Sequence, residues 1–406
     1  MFARTVAFLT AMALAPVGAV AQEAQAATPA PTTTDPAVLE GKLESLAEQV
    51  AENKADLASL KRLKLSGFIQ ALYVWQEAVT YNGSAAATTP TAPAGQNFTV
   101  ARGRFKAAYD ADWSQYTLQI DVVPTLVGIK EAYVSLKLPS GLALDAGLQL
   151  FPFGYEVYTQ SSSDLDLLAR SRVTRAFLLG EYDLGLALRG KVSMVNFKVG
   201  LFNGNGINSG QVGKDNDQLK DLIGRAWVDL GVVTTGVSGW YGKTVNYARD
   251  DDKSYPRVRA AVDVQAFLDL LPIGGTALKG EYMWGQTTIG TASSNLGAGG
   301  NLPGLTSSAP VPTGSGWYLT GLQTLGPWNQ LAVRYERYTP DHTVDFTATP
   351  TAVKTQEELQ VALHTYVGGN MKVSAAWYHP MNGERGPSVP ADPKSDSYLV
   401  QAQVKF

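Results

Sequence analysis

The sequence contains no cysteine, only three histidines in 406 residues, and a charged fraction of 17%. Without cysteine there is no disulfide framework and no thiol for a lipoprotein anchor. The histidines, His342, His364 and His379, fall on separate segments without ligand spacing. They read as rim or lumen side chains, and no metal site is expected. No nucleophile and base recur in a catalytic arrangement, so neither an enzyme nor a cofactor is expected. After residue 21 no run approaches the roughly 18 apolar residues of a membrane helix. That excludes a helical inner-membrane protein, but not a membrane protein built of strands. Charge is balanced as well as scarce: 33 basic against 36 acidic residues leave −3, which points to no nucleic-acid partner. A soluble domain averages about 25% charge.

The two ends are informative. Residues 1–21 read as a cleaved signal peptide, with Arg4 ahead of an apolar stretch and Ala19-Val20-Ala21 before Gln22. Residues 22–36 are an Ala/Thr/Pro-rich linker. Over 37–64, Leu39, Leu43, Leu46, Val50, Asn53, Leu57 and Leu60 recur at alternating four and three. This is a heptad seam with one polar core position, expected to form a short periplasmic coiled coil. A single amphipathic helix on a barrel rim is the alternative. At the other end, Tyr398, Val400, Ala402, Val404 and Phe406 share one parity, while Ser397, Gln401, Gln403 and Lys405 share the other. Such alternation gives a strand with one oily and one wet face. A terminal aromatic resembles the tag by which the barrel-assembly machinery recognises an outer-membrane barrel.

From 65 to 406 the period stays at two. About sixteen strand-like runs are separated alternately by tight turns and long Gly/Ser/Asn/Asp/Pro-rich loops. The tight turns are expected at Asp110-Ala111-Asp112, Pro139-Ser140, Gly190-Lys191, Gly231, Leu271–Gly274, Gly326-Pro327 and Gly368-Gly369-Asn370. Short–long alternation is the pattern of an all-β transmembrane antiparallel β-barrel. Trp113 and Trp328 after short turns, with Trp240, Trp284, Trp317 and Trp377 near long loops, fit aromatic girdles at two interfaces. Asp215-Asn216-Asp217 and Asp250-Asp251-Asp252 continue into no calcium-loop pattern and read as solvated loop charge.

Parity also sorts the charges. Arg102, Arg104 and Lys106 alternate with Gly103 and Phe105. An outward Arg or Lys costs roughly 2–4 kcal/mol at the bilayer midplane, so these three must face water inside. Lys130 and Glu131 are adjacent, so the start of their strand should be irregular or already at the rim. Arg225, Arg259 and Arg334 fall on rows that also carry acids, predicting a lumen with both signs and a transverse field. The long segment 151–181 carries apolar residues of its own and should fold into the barrel. Its run Ser161-Ser162-Ser163-Asp164 offers a cap for a short helix, with Arg170, Arg172 and Arg175 beyond.

Lys130–Val134, Phe151-Pro152-Phe153-Gly154-Tyr155-Glu156, Ser162–Leu165, Arg170-Ser171-Arg172 and Phe202-Asn203-Gly204-Asn205-Gly206 resemble the phosphate-selective porin O and P family. The resemblance covers nearly all of 65–406. It implies a sixteen-stranded homotrimeric channel with an inward-folded third loop and arginines lining the path. Here acids interleave with the basic residues, so the expected activity is passive diffusion of small hydrophilic solutes with at most a mild preference for anions such as phosphate. The expected selectivity residues are Arg102, Arg104, Lys106, Arg170, Arg172, Arg175, Arg225, Arg259 and Arg334. The expected setting is the Gram-negative outer membrane, with lipid and lipopolysaccharide as partners. A second reading makes 37–64 a tether to the cell wall, with transport secondary.

Overall fold

The computed structural model describes residues 36–77, 95–123, 126–178, 181–204, 206, 219–245, 254–286, 313–347 and 352–406. The signal-peptide expectation, nearly all of the linker and both acidic runs lie outside these residues. The chain divides into two compact units, Met1–Ser59 and Leu60–Phe406. In the first, α1 (Pro36–Arg62) is one continuous helix. Pro36 suits a first helical position, and Lys61 and Arg62 sit where a helix C-terminus favours cations. Leu43, Leu46, Val50 and Leu57 are all exposed along it.

The second unit is a closed antiparallel barrel of sixteen strands among the described residues. They are β1 (Leu63–Gln76), β2 (Gly95–Asp110), β3 (Ser114–Val123), β4 (Leu126–Lys137), β5 (Ala143–Leu150), β6 (Tyr182–Val192), β7 (Val195–Phe202) and β8 (Asp221–Asp229). The second half comprises β9 (Val233–Val245), β10 (Ser254–Leu271), β11 (Gly274–Gln286), β12 (Thr313–Leu325), β13 (Asn329–Thr339), β14 (Gln356–Val367), β15 (Met371–Asn382) and β16 (Ser397–Lys405). Each strand pairs with its sequence neighbours, and β1 pairs with β16, aligning Gln70 with Gln403 and Trp75 with Tyr398. Gly67 and Phe406 exchange both backbone hydrogen bonds at 3.0 Å, so the C-terminal aromatic completes the seam. Closure leaves no unpaired edge.

The two faces are sorted as parity requires. Ile69, Phe105, Leu118, Ile129, Val237, Val264, Leu319 and Val400 are exposed on the outside. Gln70, Arg104, Asp145, Arg225, Asp263, Arg334, Glu336 and Gln403 are buried within. Apolar residues outside and charges inside invert the arrangement of a soluble protein.

Four details differ from or sharpen the sequence reading. Gly190 and Lys191 lie within β6, and the turn falls at Ser193-Met194, because Lys191 pairs with Asn196 and Val192 with Val195. The ladder runs two residues past the glycine because Phe197 across the hairpin supplies its partner. Likewise β10 begins at Ser254, pairing with Val245, before its alternation becomes visible. Lys130 occupies a bulge: the register shifts between Gln119 and Ile120, so Glu131 faces Gln119 and Ile129 faces Ile120. The extra residue lets adjacent Lys130 and Glu131 both avoid the apolar face. Finally, Trp240 is not an interface tryptophan. It points inward, 3% exposed, with its ring 4.8 Å from that of Phe151 and 6.0 Å from that of Phe153.

Candidate functional site

The lumen is crossed by the segment between β5 and β6. Its root carries Phe151, Phe153, Val157, Val173 and Phe177, which pack with the inward-facing Phe202, Ile223, Trp240, Ala261, Met283 and Tyr338. Farther along, Leu167, Leu168 and Ala169 pack with Leu72, Leu322, Ala362, Tyr378 and Leu399 on the opposite wall. The loop's apolar residues thus find the apolar patches of an otherwise polar interior, which explains why it does not lie in solvent.

Polar contacts fix its path. Gly154 has φ +73, and a Cβ there would meet Glu281 Oε1 at 2.6 Å, so the FPFG turn admits only glycine. Gly154 N donates to Ser238 Oγ at 3.0 Å and Tyr155 N to Glu281 Oε1 at 2.7 Å. Glu281 Oε2 also accepts from Tyr318 OH at 2.8 Å. Glu156, fully buried, faces the Arg334 guanidinium at 2.8 Å and accepts from Ser171 N at 2.8 Å. Arg334 is held in turn by Thr320 Oγ1 at 2.9 Å and lies over the Tyr318 ring at 4.8 Å.

Two short helices interrupt the loop, α2 (Tyr155–Tyr158) and α3 (Arg172–Phe177). The cap of α3 is Ser171, whose Oγ accepts from Thr174 N at 3.1 Å, not the run Ser161–Asp164. That run cannot begin a helix because the wall takes its carbonyls. Ser162 O accepts from Gln70, Ser163 O from Gln403, and Asp166 O from His364 Nε2 at 2.8 Å.

The nine cations proposed from strand parity and from the long loop occupy distinct environments. Arg102 and Arg104 point inward on β2: Arg102 donates to Gln70 Oε1 at 3.0 Å, and Arg104 lies 3.3 Å from Asp121 and donates to Tyr182 OH at 3.1 Å. Lys106 pairs with Glu131 at 2.7 Å yet keeps 37% of its side chain exposed. Arg170 pairs with Glu181 at 2.5 Å. Arg172 pairs with Glu358 at 2.5 Å and donates its backbone N–H to Glu336 at 2.9 Å. Arg175 is partly buried, its Nε without a hydrogen-bond partner. Arg225 reaches Asp263 across β9 at 2.5 Å; Gly236 makes room, since a Cβ there would stand 2.7 Å from the guanidinium. Arg259 lies 4.7 Å over Trp240 and donates to Gln286 O at 2.8 Å, and Arg334 pairs with Glu156. Among the described residues, Arg102, Arg175 and Arg259 have no carboxylate within ion-pair distance, nor has Lys130.

Burial distinguishes two walls. On β9–β14 the inward Ser238, Asp263, Glu281, Arg334, Glu336, Glu358 and Gln360 are all buried beneath the loop. On β2–β6 the inward Lys106, Gln119, Asp121, Lys130, Tyr133 and Arg189 remain partly exposed. The second wall also carries the buried Arg102, Arg104, Glu131, Ser135 and Asp145, so its partly exposed side chains are interspersed with covered ones. The sequence reading assigned no loop carboxylate a part in holding the arginines, although Glu156 stands in the FPFGYE stretch. It also passed over Glu281, which alternates with Lys279 as Glu336 does with Arg334.

The loop root should be sensitive to acid. Burial alone would raise the Glu181 carboxyl, but the charge and hydrogen bond of Arg170, with the fields of Arg104 and Arg102, hold it at about 2 against an ordinary 4.5. A carboxyl lowered on folding contributes stability that is full above its unfolded value and lost as pH falls through the folded one. Loop docking should therefore weaken between pH 4.5 and 2. Glu181→Gln should flatten that part of an acid titration of the barrel's unfolding midpoint; an unaltered titration would remove Glu181 from the role.

No protein-family model matches the chain, and no curated protein matches it significantly. Solved structures do. The anion-selective porin from Comamonas acidovorans aligns at 11% identity and TM-score 0.57, over 85% of this chain and 99% of that one. OmpF of Salmonella typhi aligns at 13% identity and TM-score 0.57, over 85% and 97%. OmpT of Vibrio cholerae, in its trimer form, aligns at 10% identity and TM-score 0.54, over 85% and 99%. At such identities the likeness is one of architecture: the chain has the barrel fold of bacterial outer-membrane porins.

Proposed function

We propose that this protein is an outer-membrane porin through which small hydrophilic solutes, anions such as phosphate among them, diffuse passively. The observation that carries the reading is the inverted sorting of the barrel, apolar outside and charged within, at strand lengths that cross a bilayer when tilted. The solute path runs between the loop and the β2–β6 wall, past the partly exposed Lys106 and Lys130, with Arg102 buried against Gln70 and acting on it only through its field. Arg170, Arg172 and Arg334 act differently: their charge is spent on carboxylates, and they hold the loop, while Arg225 is spent on Asp263 within the wall. Unpaired cations beside the path favour anions mildly, because most of the field is cancelled within a few ångströms of each pair. Purified protein in planar bilayers should give discrete conductance steps, and a reversal potential displaced toward the chloride value in a potassium chloride gradient. Bilayers that stay silent across preparations of folded protein would overturn the reading.

The same reading places the chain in the Gram-negative outer membrane after removal of residues 1–21, in contact with lipid and lipopolysaccharide, with Phe406 offered to the assembly machinery. A homotrimer is favoured by the apolar seam of α1, on which Leu43 is 65% and Leu60 63% exposed, a surface that a parallel coiled coil would cover. The same seam is the observation that supports a tether to the cell wall as a second role.

A further inference from the structure

We propose that the tip of the loop, Ser162–Asp164, is an internal clasp on the seam between β1 and β16, so that loop docking and barrel closure are one cooperative event. Gln70 and Gln403, register partners across that seam, are its positioning residues. Gln70 Nε2 donates to Gln403 Oε1 at 2.6 Å and to Ser162 O at 3.1 Å, and Gln403 Nε2 donates to Ser163 O at 3.0 Å. Each amide therefore spends its bonds on the opposite strand and on the loop together. Arg102 saturates the Gln70 oxygen from β2, and Arg104 Nη1 donates to Ser162 Oγ at 3.0 Å. Below this node Asp164 pairs with Lys405 on β16, and Lys372 on β15 approaches Leu165 O at 3.5 Å.

The node is buried: Gln70 and Gln403 are each 2% exposed, Ser162 2% and Ser163 7%. Opening the seam would strand two buried loop carbonyls, and withdrawing the loop would strand two buried amide donors. Each loss costs more than the bond was worth when made, which is what couples the two events. The seam joins strands 333 residues apart along the chain, whereas the loop reaches Gln70 from 92 residues away. A loop docked first on β1 and β2 would present Ser163 O ready for the arriving β16, easing the slowest contact to form.

The absence of native cysteine makes the test clean. Ser163→Cys gives one reactive site, and its labelling by a water-soluble maleimide reports tip release. Gln70→Ala with Gln403→Ala should raise the labelling rate about tenfold, the effect of losing one or two net hydrogen bonds. In the reciprocal experiment, replacing Ser161–Asp164 by glycines, with both glutamines intact, should lower the temperature at which the folded form is lost on a detergent gel. If the double-alanine barrel does not assemble, the milder pair Lys405→Met and Asp164→Asn should move both readouts the same way. Unchanged labelling in the seam variants, or an unchanged transition temperature in the tip variant, would overturn the clasp. An equal loss in Ser238→Ala, which loosens only the root, would do so too, as it would reveal docking without a special seam. None of these readouts depends on conductance.

Discussion

Glu156→Ala, or Arg334→Met, should weaken docking of the loop by about 3–5 kcal/mol, the cost of leaving one member of a buried ion pair alone. Both side chains are fully buried or nearly so, and neither can recover a hydration shell. Glu156 does more than neutralise Arg334. Its carboxylate also accepts from Ser171 N, so its loss unties the chain just ahead of α3. The released root would expose Phe151, Phe153 and Phe177 to the lumen, and the expected signs are a lower unfolding midpoint and noisier channel currents. The double variant Glu156→Leu with Arg334→Met should lose less than the sum of the two singles, because an apolar pair of similar volume leaves no orphan charge. Additive losses would mean that the pair is not the unit holding the loop.

Neutralising the exposed wall should change ion preference more than neutralising the loop. Arg102→Gln, Lys106→Gln and Lys130→Gln together remove two cations with no described carboxylate within ion-pair distance, the buried Arg102 and the partly exposed Lys130, and a third whose removal unmasks Glu131. One unit charge at ~4 Å in water-like surroundings is worth about 1 kcal/mol, so the chloride-to-potassium permeability ratio should fall about fivefold at low salt. Salt should shrink the effect, since the screening length is about 10 Å at 0.1 M. By contrast, removing Arg225 and Asp263 together, as Arg225→Met with Asp263→Leu, deletes a neutral pair and should leave the ratio nearly unaltered. A ratio that responds to the buried pair and ignores the exposed wall would place the path elsewhere.

The sequence reading succeeded wherever one short stretch contains its own answer. Parity in Tyr398–Phe406 fixed which side chains of β16 face outward, and the adjacency of Lys130 and Glu131 left an irregular strand or a rim position, of which the structure has the first, because a pleated strand offers only two directions. It faltered at Gly190-Lys191 and Ser254, where a neighbouring strand's backbone extends the ladder regardless of local composition. Trp240 misled for a related reason: an aromatic near a strand end has the same local signature on either face of the wall.

By itself, then, the sequence determined the approximate strand number, the inward direction of the charges, the aromatic end that completes the cylinder and most of the alternation of short and long connections, which fails where only two residues separate β3 from β4. All of these follow from a two-residue period in a medium that cannot hydrogen-bond to backbone. Tertiary structure alone decided which cations are neutralised and which inward side chains stay partly exposed. Arg334 meets Glu156, Arg172 meets Glu358 and Gln403 meets Ser163 across separations that no local pattern encodes, because they depend on where one loop comes to rest inside the closed barrel.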